Sequence, residues 1–419
     1  MSSARPDLKD DARRIFIKSV SSVMPDITVA HSLEKTEIKS PVTLVAIGKA
    51  AWKMAKSASG ILGTKIKCGA VLTKYGHSQG AIGNLEIYEA GHPIPDENGT
   101  AATKKILEMT RNLTENDTVL FLVSGGGSAL FDAPCKGITQ EFMTRLNSEL
   151  TESGADINEI NTIRKRFSET KGGRFALHCA PAKIHQIILS DIVGDNIENI
   201  ASGPAAQDSS TAADALAIIR KYGIGIPQHL MQRITQEKLP SPKNVTTSIG
   251  SNVKELCLAA AKAAAALGYD THIIDTAITC RVEDAAKNMA DEAKKYNASD
   301  KPLAIIMGGE TTVTVRGKGK GGRAQEFALT CAKLIQNRQN TVILAGGSDG
   351  TDGPTDAAGG IVDGGTWELI KQNGLDPEKM LNHNDSYHAL AASESLLITG
   401  PTGTNVNDLM LMLIGRKDN

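Results

Sequence analysis

No apolar run in the 419-residue sequence approaches the roughly 18 residues a membrane-spanning helix needs, so no such helix is expected. The first 11 residues are polar and lack the apolar stretch of a secretory signal. Charge of neither sign predominates. With 46 Lys and Arg against 47 Asp and Glu, the net charge of −1 points to no nucleic-acid or membrane partner. The six cysteines (Cys68, Cys135, Cys179, Cys257, Cys280 and Cys331) are scattered without a C-x-x-C pair. That is the pattern of free thiols in a reducing compartment, and a cytoplasmic setting is expected. Aromatic residues make up only 4% of the chain, whereas glycine is abundant at 40 residues, which implies many tight turns and close backbone approaches to ligands.

Several familiar signatures are also missing. There is no G-x-x-x-x-G-K-[ST] loop, and no G-x-G-x-x-G with an acidic partner about 20 residues on, which weighs against a nicotinamide dehydrogenase. The absence of G-x-S-x-G disfavours a serine hydrolase. Nine histidines give no metal set; His383 and His388 are five apart, off one helix face.

What is present reads as α/β. The apolar runs at 42–47, 69–73, 85–88, 118–123 and 184–189 read as strands, with helices at 49–59 and 100–111. Continuous apolar strands separated by helices argue for a doubly wound parallel sheet covered on both faces. Pro240-Ser241-Pro242-Lys243-Asn244 is a breaker-rich linker candidate, dividing the chain into domains 1–240 and 241–419. In the second domain, strands are expected at 271–274, 303–307, 312–315 and 341–344, and helices at 256–267, 323–335 and 405–413. Clefts between two domains are common ligand sites.

Five loops carry candidate chemistry. Gly125, Gly126 and Gly127 follow an expected strand, where successive backbone N–H groups could cradle an anion and Ser128 add a hydroxyl. Lys49 follows Gly48 at a helix start, a place where a lysine opposes the helix dipole unless an anion lies between. The stretch 316–323 holds four glycines and the cations Arg316, Lys318, Lys320 and Arg323, resembling a flexible phosphate clamp with Arg323 as its fixed contact. Residues 345–356 combine Gly347 with Asp349, Asp352 and Asp356, oxygen ligands suited to magnesium or to nucleotide hydroxyls. Asp191 and Asp195 follow the 184–189 strand, where a carboxylate could hold magnesium or accept a proton. For each loop a ligand-free turn remains the competing reading. His92, in the loop 91–95, is as readily structural as it is a substrate contact.

Taken in order, eight segments resemble the glycerate kinase family that carries a MOFRL domain: VAIGKAAWKMA, EAGHPIPDENG, VSGGGSALF, INTIRKRFSETKGGRFA, LSDIVGDNIENIASGP, GGETTVTVRGKGKGGRAQEFAL, LAGGSDGTDGPTDAAGGIVDG and LLITGPTGTNVNDL. They run from about residue 45 to 408. The opening Met of the family's name is absent from the matching Arg323–Leu329 stretch. The resemblance implies a Rossmann-like first domain, a smaller α/β MOFRL-type domain and an active site in the cleft between them. It implies phosphoryl transfer from ATP to D-glycerate with magnesium, typically giving 2-phosphoglycerate, and matches Lys49 and Arg323 to residues the family uses. Asp191 joins them as a catalytic candidate; Gly125–Ser128, Lys318, Lys320, Gly347, Asp349 and Asp352 are nucleotide candidates, and Asp191, Asp349 and Asp352 magnesium candidates. Relatives have also been labelled hydroxypyruvate reductase. That activity, a 3-phosphoglycerate product, or a metabolite-binding module are the alternatives, and homo-oligomerisation is left open.

Overall fold

The run at 42–47 carries no polar face, and it forms β1 (Val42–Ile47), buried along its whole length. The computed structural model describes residues 7–38, 40–235, 241–295 and 301–416. These fall into two compact units, one formed by Pro25–Gly250 and the other by the chain before and after that segment.

In the Pro25–Gly250 unit, β1 is joined by β2 (Ile66–Lys74), β3 (Leu85–Ala90), β4 (Thr118–Val123), β5 (Lys183–Leu189) and β6 (Val245–Ser251) in the order β3-β2-β1-β4-β5-β6. The pairings β2–β3, β1–β2, β1–β4 and β4–β5 are all parallel. This is the doubly wound order, which reverses between β1 and β4 and leaves a crevice at their carboxyl ends. Phe121, Phe131 and Phe175 pack ring on ring in its core, with centroids 4.8–6.1 Å apart. The helix expected from residue 49 starts two residues later, at Ala51–Leu62, so Lys49 precedes the helix instead of lying in its first turn.

The other unit has a mixed sheet. Its strands are β7 (Asp270–Ile278), β8 (Leu303–Gly309), β9 (Thr341–Gly347), β10 (Gly359–Asp363), β11 (Leu396–Leu397) and β12 (Asp408–Ile414), in the order β11-β10-β9-β12-β8-β7. Only β7–β8 is parallel; β12 runs antiparallel to both β8 and β9.

Three expectations change. Residues 405–413 do not form a terminal helix, because Asp408–Ile414 is a central strand. Leu and Met are good helix formers, but a seven-residue run with no polar face fits a strand buried between two neighbours. Residues 312–315 form no strand; Thr312 makes one isolated bridge to Arg281, and Val315 is 78% exposed. The break between units falls at 250/251 rather than 240/241, and Pro240 of the expected linker lies outside the described residues.

The beginning of the chain also belongs with the later unit. Helix Leu8–Ser22 buries Ala12, Ile15, Phe16, Ser19 and Val20, one face at helical spacing. Phe16 lies so close to Gly346 that a Cβ there would come within 2.9 Å of its ring, and Tyr269 donates to Asp11 at 2.8 Å.

Candidate functional site

The crevice between β1 and β4 is built by interlocked turns. Gly48 N–H donates to Leu72 O, Lys49 N–H to Gly125 O at 2.9 Å, and Ala50 N–H to Ser124 Oγ at 3.1 Å. Gly48 has φ +108°, and a Cβ there would lie 2.3 Å from Ser124 O, so only glycine fits.

Lys49, His92 and Asp191 converge on the Gly125–Gly126 peptide. A methyl group on Gly125 would sit 2.0 Å from Asp191 Oδ2. One on Gly126 would sit 3.0 Å from the His92 ring and 3.2 Å from Lys49 Cγ. Three different strand ends therefore bring a lysine, a histidine and an aspartate side chain against one glycine turn. Burial holds the His92 imidazole below its ordinary value, and the charges of Lys49 and Lys74 add to the effect. Ser128 Oγ lies 2.9 Å from Ser202 Oγ, which donates to Asn161 at 3.1 Å. The adjoining Ala201 and Ser202 both adopt positive φ, 51° and 61°. Such strain, about 1–3 kcal/mol per residue, persists where surrounding structure enforces it and concentrates at functional sites.

Sequence reasoning gave no individual role to a buried charged network beside this turn. Arg164 donates to Ser128 O at 3.1 Å and lies 3.7 Å from Asp132. Asp132 also accepts from Ser168 at 2.6 Å and pairs with Lys171 at 2.5 Å. Burial brings the Lys171 ammonium down to about 8, with Asp132 opposing. The available signal was five cations in eleven residues, 164–174, within a stretch otherwise able to pack in a core.

In the second unit, the register places Asp408 between Gly309 of β8 and Gly347 of β9. Arg323, the first residue of helix Arg323–Leu334, donates to Asp408 through Nε at 2.6 Å and Nη2 at 3.2 Å, and to Glu310 through Nη1 at 2.5 Å. The guanidinium is thus held by two carboxylates rather than presented free. Those carboxylates raise its pKa although burial opposes them. It borders a cavity of about 620 Å³ that also meets Glu310, Glu326, Asp349, Asp352 and Asp408.

Asp352 is a helix cap. Its carboxylate accepts from the backbone N–H groups of Ala324 and Gln325 at 3.3 and 2.8 Å, and burial pushes it up to about 6. Asp349 accepts from Thr351 N–H at 3.0 Å within its own turn, while a Cβ on Gly347 would lie 3.2 Å from its Oδ1. Among the described residues, no group of three or more His, Cys, Asp or Glu side chains is arranged to hold a metal ion. Asp191, Asp349 and Asp352 are not gathered into such a group.

The basic loop is not a flexible clamp. Asn384 Oδ1 accepts from Arg316 N–H and Gly317 N–H at 2.6 and 3.0 Å, Gly319 donates to His383 O at 2.9 Å, and Lys320 N–H donates to Asp385 at 3.0 Å. A Cβ at Gly317, Gly319 or Gly321 would come within 2.2–2.5 Å of His383, Asp385 or Ser386. None of these glycines has positive φ, so they are needed for space rather than for flexibility. Lys320 stacks on the Tyr387 ring at 4.1 Å, while Lys318 is exposed.

A doubly wound unit joined to a mixed α/β unit, each with glycine turns at strand ends, defines a two-domain α/β protein. The MOFRL family model matches residues 303–408, and a domain of unknown function, DUF4147, matches 11–235. A D-glycerate 2-kinase of Thermotoga maritima is 49% identical over 97% of this chain and 98% of its own. A glycerate 2-kinase of Pyrococcus horikoshii is 40% identical over 91% and 89%. An Agrobacterium vitis protein, 37% identical over 96% and 94%, carries the provisional name hydroxypyruvate reductase. The crystal structure of the Thermotoga maritima glycerate kinase superposes with a TM-score of 0.94, covering 97% of this chain and 99% of that one. The chain belongs to the MOFRL-domain glycerate kinase family and is an enzyme of that family.

Proposed function

We propose that the protein transfers the γ-phosphoryl group of ATP to D-glycerate, giving 2-phosphoglycerate and ADP. The observation that carries the reading is the convergence of Lys49, His92 and Asp191 on Gly125–Gly126 at the carboxyl ends of β1, β3, β4 and β5. Phosphoryl transfer asks chiefly for positioning and for positive charge near the transferring group. Lys49 and the backbone N–H groups of Gly125–Ser128 supply that charge and cradle. Asp191, beside the same turn, accepts the proton of the attacking hydroxyl.

The carboxylates around Arg323 are acceptors, and acceptors suit hydroxyl-rich parts of a ligand. The 620 Å³ cavity, which Asp349 also lines, accordingly suits a hydroxyl-rich part of a ligand, with Lys318 as the exposed cation of the adjoining loop. Arg323, oriented by Asp408 and Glu310, is fixed in aim rather than freely swinging. Magnesium enters as part of the substrate, complexed to ATP. We place the enzyme in the cytoplasm, a setting that its six free cysteines favour; no helix of the described residues is long and apolar enough to cross a membrane.

Reduction of hydroxypyruvate is the second reading, favoured only by the name of two relatives. It would need a dinucleotide cradle after β1, where Gly48-Lys49-Ala50-Ala51 offers one glycine and a lysine. Purified protein is assayed for ADP release with MgATP and D-glycerate, and separately for NADH oxidation with hydroxypyruvate. The kinase reading expects turnover in the first assay alone; turnover only in the second would replace it.

A further inference from the structure

We propose that a cavity walled by Arg111, Lys136, Arg174 and Arg233 is a second anion site, separate from the glycine turn, for a small phosphorylated acid. The cavity is about 390 Å³ and lies wholly within the Pro25–Gly250 unit. Its lining sets these four cations, with His178, against the single carboxylate of Glu169.

The cations are not there to pair with each other's neighbours. Arg111 shares its charge with Glu108 at 2.9 Å, but no ion pair of Lys136, Arg174 or Arg233 exists among the described residues. Arg174 is the anchor. Its Nη1 donates to Lys165 O at 2.7 Å and to Lys171 O at 3.3 Å, which fixes the guanidinium plane. Nε and Nη2 are left over for a ligand. Burial works against the charge that Arg174 must carry, Cys135 and the Asp208 carboxylate support that charge, and Arg166 and Arg233 oppose it. Guanidinium groups gathered in a partly desolvated hollow repel one another, and an anion between them removes that cost.

The walls say which anion. Cys135 N–H donates to Phe167 O and Glu169 N–H to Ala133 O, each at 2.8 Å, so the segments bearing Cys135, Lys136, Glu169 and Arg174 are clamped side by side. A pre-formed pocket of this size stands near the lower end of the roughly 300–1,000 Å³ typical of small-molecule sites. No Phe, Tyr or Trp side chain lines it, and its apolar surface comes from Leu107 and Cys135. The one ring in the lining, the His178 imidazole, is already tied through Nε2 to Leu107 O at 2.8 Å. A compact molecule with both a phosphate and a carboxylate matches several cations at once, guanidinium being suited to bidentate contact with either group.

Phosphoenolpyruvate is a suitable probe, with inorganic phosphate as the comparison. Binding to the full chain is measured by calorimetry without nucleotide or glycerate, so that no turnover is involved. Phosphoenolpyruvate should bind the wild type, and the double variant Lys136→Gln/Arg233→Gln should lose at least about tenfold in affinity, near 1.4 kcal/mol. The same variant should keep the wild-type KM for ATP and for D-glycerate. Lys49→Met should leave phosphoenolpyruvate affinity unchanged, since Lys49 belongs to the other turn. The proposal is overturned if wild type shows no binding at about 5 mM probe, a Kd weaker than a few kcal/mol of interaction would give. It is equally overturned if the double variant binds as the wild type does, or if Lys49→Met abolishes binding. Inorganic phosphate binding as tightly as phosphoenolpyruvate would overturn the assignment to a phosphorylated acid.

Discussion

The role proposed for Lys49 and its effect on His92 separate experimentally. Its side chain lies against the Gly125–Gly126 turn, and its charge, second to burial, depresses the His92 imidazole. Lys49→Met should lower kcat about 10²–10³-fold, the usual result of removing one preorganised electrostatic group, with the fold intact. In the same variant the His92 titration, followed by proton NMR, should move upward yet stay below its ordinary value, because burial remains. The lowered value also has a stability consequence. The unfolded chain binds a proton to His92 more readily than the folded one, so this residue's contribution is present above about pH 6.5 and is withdrawn as pH falls toward the lowered value. An unmoved His92 titration in Lys49→Met would separate the two residues. Arg323 shows the limit of reading single residues. Its place after glycine at a helix start was legible, but its partners Asp408 and Glu310 lie 85 and 13 residues away in sequence. Nothing in local spacing reveals that its charge is already matched.

At the scale of elements, the parallel sheet was the most legible part. The runs at 42–47 and 118–123 match β1 and β4 residue for residue, since a strand buried on both faces is written as an uninterrupted apolar run. β12 is written the same way, but its Leu and Met residues favour helices, and only pairing with β8 and β9 decides the matter. β10 was not read from the sequence: it begins with Gly359 and Gly360, and a Cβ on Gly359 would lie 1.9 Å from Ala345 O. The basic loop was misread for a related reason: glycine signals either conformational freedom or lack of space, and sequence does not distinguish them. The pinned geometry predicts slow tryptic cleavage at Lys318 and Lys320 even without nucleotide. Asn384→Ala, which removes the acceptor for Arg316 and Gly317 N–H, should speed that cleavage several-fold. Rapid cleavage of the wild type, slowed by MgATP, would restore the mobile clamp.

For the whole molecule, the sequence conveyed two α/β units but not their composition. Helix Leu8–Ser22 rejoins the unit formed by the later part of the chain, more than 200 residues away, where Phe16 seats against Gly346 and Asp11 against Tyr269. The sequence reading gave this helix no place, and an apolar face does not by itself name the surface that covers it. Phe16→Ala should destabilise the protein by about 3–5 kcal/mol, the usual cost of emptying a buried phenylalanine site, and lower the first thermal transition seen by calorimetry. The central claim concerns the reaction. The most direct test is phosphorus NMR of the product formed from MgATP and D-glycerate by the purified chain. The account predicts ADP together with the resonance of 2-phosphoglycerate, both lost in Lys49→Met; a 3-phosphoglycerate resonance, or no phosphorylated glycerate at all, would contradict it.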